Sequence, residues 1–151
     1  MAYDNTVKTF NFAIEADGLD QFLVQEMTIP EVEIASVQHF TSNSATKTAG
    51  LVSVSDLEAT KIKLSDAADN WAWDWLNTAQ NHVVGTGALP ADYKRNIVVR
   101  EMNAAGRTVN RWILYGCWVR KVATSTHNRA ASENVLETVT FSEDAIQKVP
   151  V

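Results

Sequence analysis

Apolar and polar residues alternate with period two along most of this chain, and the pattern turns helical once. Phe10, Phe12 and Ile14 alternate with Asn11, Ala13 and Glu15, which predicts a half-buried strand. Asp17-Gly18 reads as a turn, and Phe22 to Ile29 as a second extended stretch that breaks near Pro30. From Glu31 to Phe40 the alternation returns, with Val32, Ile34, Ser36, Gln38 and Phe40 pointing one way and Glu33, Ala35, Val37 and His39 the other. Ser42 to Gly50 holds Ser, Thr, Asn, Ala and Lys with little to bury, and predicts a mobile loop. Leu57 to Leu64 predicts a strand with Ile62 and Leu64 on one face and Lys61 and Lys63 on the other.

The period then changes to 3.6. Ala68, Trp71, Ala72, Trp75, Leu76 and Ala79 fall on one helical stripe, Asp66 is a suitable N-cap, and Asp69 sits in the first turn. The helix should stop near Gln80–His82, ahead of Gly85 and Gly87. Beyond Pro90, Asn96–Met102 and Thr108–Val122 are β-rich and flank the turn-like Asn103-Ala104-Ala105-Gly106, so a hairpin is expected. Its second arm is apolar on both sides of a simple alternation. Trp112, Leu114 and Trp118 fall on one side, and Ile113, Tyr115, Cys117 and Val119 on the other, which predicts a strand covered on both faces. Thr124–Asn134 is polar and loop-like. Asn134–Phe141 closes the pattern as a strand with Val135, Val139 and Phe141 opposite Leu136, Thr138 and Thr140. No repeat and no internal boundary interrupts residues 1–151. The expected fold is a single domain, mainly β with one helix (α+β): a small β-sandwich or barrel flanked by that helix.

Composition agrees with a folded domain, at 46% hydrophobic and 21% charged residues. The net charge of −5 disfavours tight nucleic-acid binding, which needs clustered cations, though it does not exclude a surface that merely lets DNA pass. The N-terminal MAYDNTVKTF has no charged-then-apolar leader pattern, and no window reaches the ~18 apolar residues of a membrane-spanning helix, so folding in a cytoplasm is expected.

Candidate chemistry changes little. The single Cys117 lies inside an apolar run and reads as a buried, inert thiol. His39, His82 and His127 have no ligand spacing, so no metal is expected. No Gly-x-Ser-x-Gly elbow exists, and Gly85-Thr86-Gly87 lacks the phosphate-loop pattern. Glu31 and Glu33 share a strand face, as a glycosidase pair could, but so do carboxylates in any β-protein. Neither catalytic residues nor a cofactor are expected. Trp73 is different. It lies off the helical stripe beside Asp69, Asn77 and Gln80, which suits either an interface anchor or a helix tucked between two layers. A long apolar strand, an off-stripe Trp and no polar constellation together suggest a protein that associates with copies of itself.

The order of pieces carries a resemblance. Leu57-Glu-Ala-Thr-Lys-Ile-Lys-Leu64 leads into Asn70-Trp-Ala-Trp-Asp-Trp75. Then come Tyr93-Lys-Arg-Asn-Ile-Val-Val-Arg-Glu-Met102, Ala105-Gly106, Arg111-Trp112, Leu114-Tyr-Gly-Cys-Trp118 and Asn134-Val-Leu-Glu-Thr-Val-Thr-Phe141. From about Phe10 to the C-terminus this resembles the tail tube proteins of contractile phages, a family that includes the tubes of R-type bacteriocins and related injection systems. The resemblance implies hexameric rings that stack into a hollow tube, with strands of six copies closing one barrel around the lumen. It implies a sheath outside, a tape-measure protein within, a baseplate initiator and a tail terminator at the ends, and DNA passing through. The location implied is the virion, after assembly in the host cytoplasm. The alternatives are a secretion or bacteriocin-type tube that carries effectors or depolarises membranes, and a ligand-binding β-barrel. Under the resemblance, Glu31 and Glu33 become candidate lumen residues. Ser42, Asn43, Thr46, Lys47 and Gly50, in a loop region taken as 42–56, become candidate contacts to a neighbouring subunit or ring. Trp73 faces a protomer or the sheath, and the N-terminal segment and Thr124–Asn134 become candidates for ring stacking.

Overall fold

A computed structural model describes residues 11–16, 24–65, 67–81, 83–130 and 132–151. The Asp17-Gly18 turn, the Asp66 cap, Phe10, Phe22 and His82 lie outside the described residues. Eleven strands and two helices follow one another among the described residues. The order is β1 (Phe12–Ala16), β2 (Glu26–Thr28), β3 (Val32–Phe40), β4 (Ala45–Val54), β5 (Leu57–Ile62), a 3-10 turn (Ala67–Asn70), α1 (Trp71–Ala79), β6 (Gln80–Asn81) and β7 (Thr86–Gly87). After these come α2 (Pro90–Tyr93), β8 (Arg95–Met102), β9 (Thr108–Thr124), β10 (Leu136–Ser142) and β11 (Ala145–Val149).

The main sheet runs β1-β8-β9-β10-β5-β2, all antiparallel, with β11 also on β9. The strand β9 is 17 residues long and serves two layers, pairing with β8 and β11 through its first half and with β10 through its second. The inward residues of both halves meet in one core. Ile14, Ile97, Val99 and Leu114 come from the first layer, and Leu57, Ala59, Val139 and Phe141 from the second. This is the expected β-sandwich flanked by a helix, with its sheets open.

The crossing from layer to layer happens at Gly116, whose φ is +64°. The β8–β9 register slips between Arg95↔Cys117 and Ile97↔Leu114, so β9 carries one extra residue there. That slip resets the side-chain phase. Leu114, Cys117 and Val119 are all fully buried, while Tyr115 is exposed and Trp118 half-buried. The sequence expectation of one strand covered on two faces is therefore corrected: the apolar run faces a single interior, with a bulge between its halves. A Cβ at 116 would lie 2.2 Å from Asp144 Oδ2, so Asp144 would have to move, in addition to the strain that the positive φ imposes on any other residue.

The helix follows its stripe. Ala72 and Trp75 are buried, and Trp71 and Leu76 pack against the core. Trp71 stacks on Phe141 with centroids 6.3 Å apart, and Trp75 meets the same ring edge-on at 5.5 Å. The Trp75 indole N–H donates to the Tyr93 carbonyl at 2.6 Å, and the Arg95 guanidinium lies over its ring. The helix thus closes the sandwich over β9 and β10, and it ends at Ala79 as its spacing predicts.

One further expectation changes. Residues 42–50 do not form a loop. Only 41–44 turn, and Ala45–Val54 is a full strand paired with β3. The sequence leaves open which face of β5 points inward; it is the one that carries Lys61, while Lys63, past the end of the strand, is exposed. Leu57, Ala59 and Lys61 are buried, whereas Ile62 and Leu64 are 38% and 48% exposed.

Candidate functional site

The hairpin β3–β4 is the feature that the body of the protein does not explain. Its strands pair from Val32↔Val54 to Phe40↔Ala45, and among the described residues their substantial packing is on each other. None of its residues is buried. Its base is clamped by the Glu31 N–H donating to Ser55 Oγ at 2.7 Å and the Ser55 N–H donating to the Glu31 carbonyl at 3.0 Å. Its tip is held by Thr41, which donates from N and Oγ1 to the Ser44 carbonyl. At ~3.3 Å per residue the nine residues of β3 form an arm about 30 Å long.

The arm has two distinct faces. Val32, Ile34, Ser36, Gln38 and Phe40 share one, with Val52 and Lys47 across from them. There Val32, Ile34, Phe40 and Val52 are 55%, 56%, 78% and 61% exposed. Glu33, Val37 and His39 share the other, where His39 Nε2 lies 3.0 Å from Thr48 Oγ1. A register slip between Ile34 and Ser36 leaves β4 with one extra residue beside Gly50. A Cβ on Gly50 would lie 2.8 Å from Val37 Cγ2 and 3.0 Å from the Ala35 carbonyl, so this position permits close strand approach.

The residues singled out in the sequence therefore collect on one element. Glu31 lies at the base of the hairpin, Glu33 on β3, Ser42 and Asn43 in the turn, and Thr46, Lys47 and Gly50 on β4. They do not form one surface, since Thr46 pairs with His39 on one face and Lys47 with Gln38 on the other. Trp73 stands apart on α1 with 38% of its surface exposed. The exposed apolar side chains between these polar ones were missed as contact candidates. Their signal was present in the alternation of β3, but alternation alone does not say whether the apolar side meets a core. A second exposed apolar group, Val83, Val84 and Leu89, surrounds the small β6–β7 pair.

The reactive groups of the body are occupied or suppressed. The Cys117 thiol is pushed up to about 12, first by burial and then by the charge of Glu143, and it donates to the Leu114 carbonyl at 3.4 Å. The Glu143 carboxyl is pushed up to about 7 by burial, against the backbone of Leu57 and with help from Asp56. Neither of its oxygens has a hydrogen-bond partner that meets full geometry. The loop between β9 and β10, with part of β10, lines an open cleft of roughly 730 Å³ whose wall includes His127, Arg129 and Glu133. Among the described residues no group of three or more His, Cys, Asp or Glu could hold a metal ion, and no helix is long and apolar enough to cross a membrane.

Comparison with known proteins places this geometry. No curated protein matches the chain. Among solved structures, the tube-terminating cap of the anti-feeding prophage superposes with a TM-score of 0.84 at 13% identity, covering 100% of this chain and 95% of that one. The sheath–tube complex of an extracellular contractile injection system, PVC, gives 0.81 at 12% identity, covering 98% and 94%. Hcp1 from Salmonella typhimurium gives 0.61 at 15% identity, covering 95% and 88%. At such identities these likenesses establish the shared fold. The family model for the T4-like virus tail tube protein gp19 matches residues 8–147, nearly the whole chain. The chain belongs to the T4-like virus tail tube protein gp19 family, and it is a structural subunit of a tail tube.

Proposed function

We propose that copies of this chain form hexameric rings that stack into a hollow conduit inside a contractile sheath, through which a genome is ejected. The observation that carries this reading is the β3–β4 arm. Its apolar side chains are exposed in the single chain, and an isolated two-stranded hairpin is only marginally stable in water. A neighbouring copy is the natural cover, in the same ring or the next. In this reading Ser42, Asn43, Thr46 and Lys47 make contacts around the arm, while Gly50 serves its internal packing. Glu31 and Glu33 give the lumen a non-adhesive acidic wall. Trp73 anchors an adjoining protomer or the sheath, and the loop 124–134 takes part in ring stacking. The further partners are a tape-measure protein, a baseplate initiator and a tail terminator, and the place of work is the virion.

A second reading has a specific observation behind it. The structures that share this fold include a tube-terminating cap of the anti-feeding prophage and the sheath–tube complex of an extracellular contractile injection system. In that reading the conduit carries protein effectors in place of DNA. Co-purification of particles with DNA or with protein cargo separates the two.

Assembly itself is tested by negative-stain microscopy of the purified chain, alone and with an initiator complex. Rings or hollow tubes are expected. A strict monomer at high concentration in both conditions overturns the proposal. Trp73→Ala is expected to weaken polymerisation by about 1–3 kcal/mol per contact while the monomer keeps its melting temperature. Equal loss of monomer stability would instead make Trp73 a core residue.

A further inference from the structure

Where β5 meets the start of the helix, three ionisable side chains converge out of water. Lys61 projects inward from β5, and Glu137 projects inward from the directly opposed position of β10. Asp69 comes from the 3-10 turn that precedes α1. Their side chains are 4%, 1% and 11% exposed. Lys61 Nζ lies 2.9 Å from Asp69 Oδ1 and 3.1 Å from Glu137 Oε1, and that Glu137 oxygen has no aligned hydrogen-bond partner. The other Asp69 oxygen, Oδ2, accepts the Leu64 backbone N–H at 2.9 Å. The Trp71 ring covers the group, with its centroid 5.7 Å from Nζ.

A buried lysine between two carboxylates is a costly way to hold a turn. Desolvating such charges opposes folding, and well-packed neutral groups often serve equally well. The same arrangement has the parts of a condensation site. An amine is held against a carboxyl group in a fixed orientation. A second carboxylate touches the amine, placed as a general base and acid. A backbone N–H points at the carboxyl oxygen on which negative charge would develop.

We infer that Lys61 and Asp69 condense to an intramolecular isopeptide bond, with Glu137 as the catalytic proton carrier. Nζ attacks Asp69 Cγ, and the charge that develops on Oδ2 is held by the Leu64 N–H. The Nζ–Cγ bond forms, the Cγ–Oδ1 bond breaks, and Oδ1 leaves as water. Of the three ammonium protons one stays on the amide nitrogen, and Glu137 carries the other two in turn to Oδ1. The ion pair –NH3+ and –COO− thus becomes –NH–CO– plus H2O, with no oxidant, reductant or cofactor. The product removes two charges from the interior and fastens the start of the Trp-rich helix covalently to the end of β5.

Intact-mass spectrometry of the full chain after incubation at neutral pH tests this directly. The expected mass is about 18 Da below that of the sequence. A tryptic digest should then leave Lys61 uncut, with residues 48–63 joined through it to residues 64–94. Asp69→Asn should keep the link and lose ammonia, about 17 Da, in place of water. Lys61→Arg should show the full mass. Glu137→Gln should slow formation by at least about 100-fold. If Glu137→Gln does not fold, the mass and digest of the native sequence and of Asp69→Asn decide the matter. The full sequence mass after prolonged incubation overturns the inference. So does a loss of the same size with normal cleavage after Lys61, which would mark a succinimide at Asp69-Asn70.

Discussion

The sandwich and the β3–β4 hairpin are made of the same material, alternating antiparallel strands rich in Val, Ile, Thr and Ala, and they reach opposite states. In the sandwich each alternation has a second layer to face, and Ile14, Leu57, Ile97, Leu114 and Phe141 lose all their exposure. In the hairpin Val32, Ile34, Phe40 and Val52 lie on one face and each keeps more than half of its exposure. What differs is the partner. The sandwich supplies its own from β9, which crosses between the layers. Among the described residues the hairpin has no second layer to face. Burying an apolar side chain of this size contributes about 1.5–3 kcal/mol, so four such residues are a considerable reserve for assembly.

The sharpest way to break this comparison is to truncate an aromatic ring in the body. Phe141 is fully buried and touches both Trp71 and Trp75. Phe141→Ala removes the ring on which the helix rests, and should cost about 3–5 kcal/mol in denaturant unfolding of the monomer. A loss below about 1 kcal/mol would mean that the helix and the sandwich do not share a core.

The next effect isolates the crossing point. Gly116 and Gly106 have similar positive φ, +64° and +81°, but a Cβ at 106 meets open space and one at 116 meets Asp144. Gly106→Ala should cost about 1–2 kcal/mol from backbone strain alone. Gly116→Ala should cost more, because Asp144 must leave its place and release its ion pair with Lys94. Equal losses in thermal unfolding would show that the bulge has room to adapt.

A smaller effect comes from Glu143, in the turn between β10 and β11 at that crossing. Its carboxyl stands at about 7 in the folded chain against an ordinary 4.5. A raised carboxyl contributes stability that is fully present below about pH 4.5 and is lost as pH rises through 7. After solvent screening the change should be on the order of 1 kcal/mol. It is measured as a fall in unfolding free energy from pH 5 to pH 8 that Glu143→Gln flattens. A stability that rises across this window in the native chain, and unchanged in the variant, would refute the assignment.

The sequence showed the parts whose pattern is local. The stripe Trp71–Ala79 and the Asn103–Gly106 turn were legible because a helix face and a hairpin turn are written in a few adjacent residues. The strand β4 was not, since Ala45–Val54 offers mostly small and polar side chains and takes its order from pairing with β3. The phase slip at Gly116 was hidden because one extra residue inverts every following side chain while leaving composition unchanged. Lys61 and Glu137 are residue types common on surfaces and yet are buried, opposite each other across β5 and β10. The candidates named from the sequence fall within 31–50 and at Trp73; there the polar residues drew attention, while Val32, Ile34, Phe40 and Val52 stand exposed beside them.

The smallest effect on the monomer tests the hairpin itself. Phe40 is 78% exposed near the tip of β3, and Val52 is 61% exposed on the same face. In the isolated chain Phe40→Ala and Val52→Ser should each change unfolding free energy by no more than about 0.5 kcal/mol, as truncations on an open surface do. In sedimentation or light-scattering assays of assembly the same changes should raise the concentration needed for polymerisation, and together more than either alone. If both variants polymerise like the parent, this apolar face is not where copies meet. If instead they unfold the monomer, the arm folds back onto the sandwich in solution, and the contrast between the two regions belongs to one conformation of the chain.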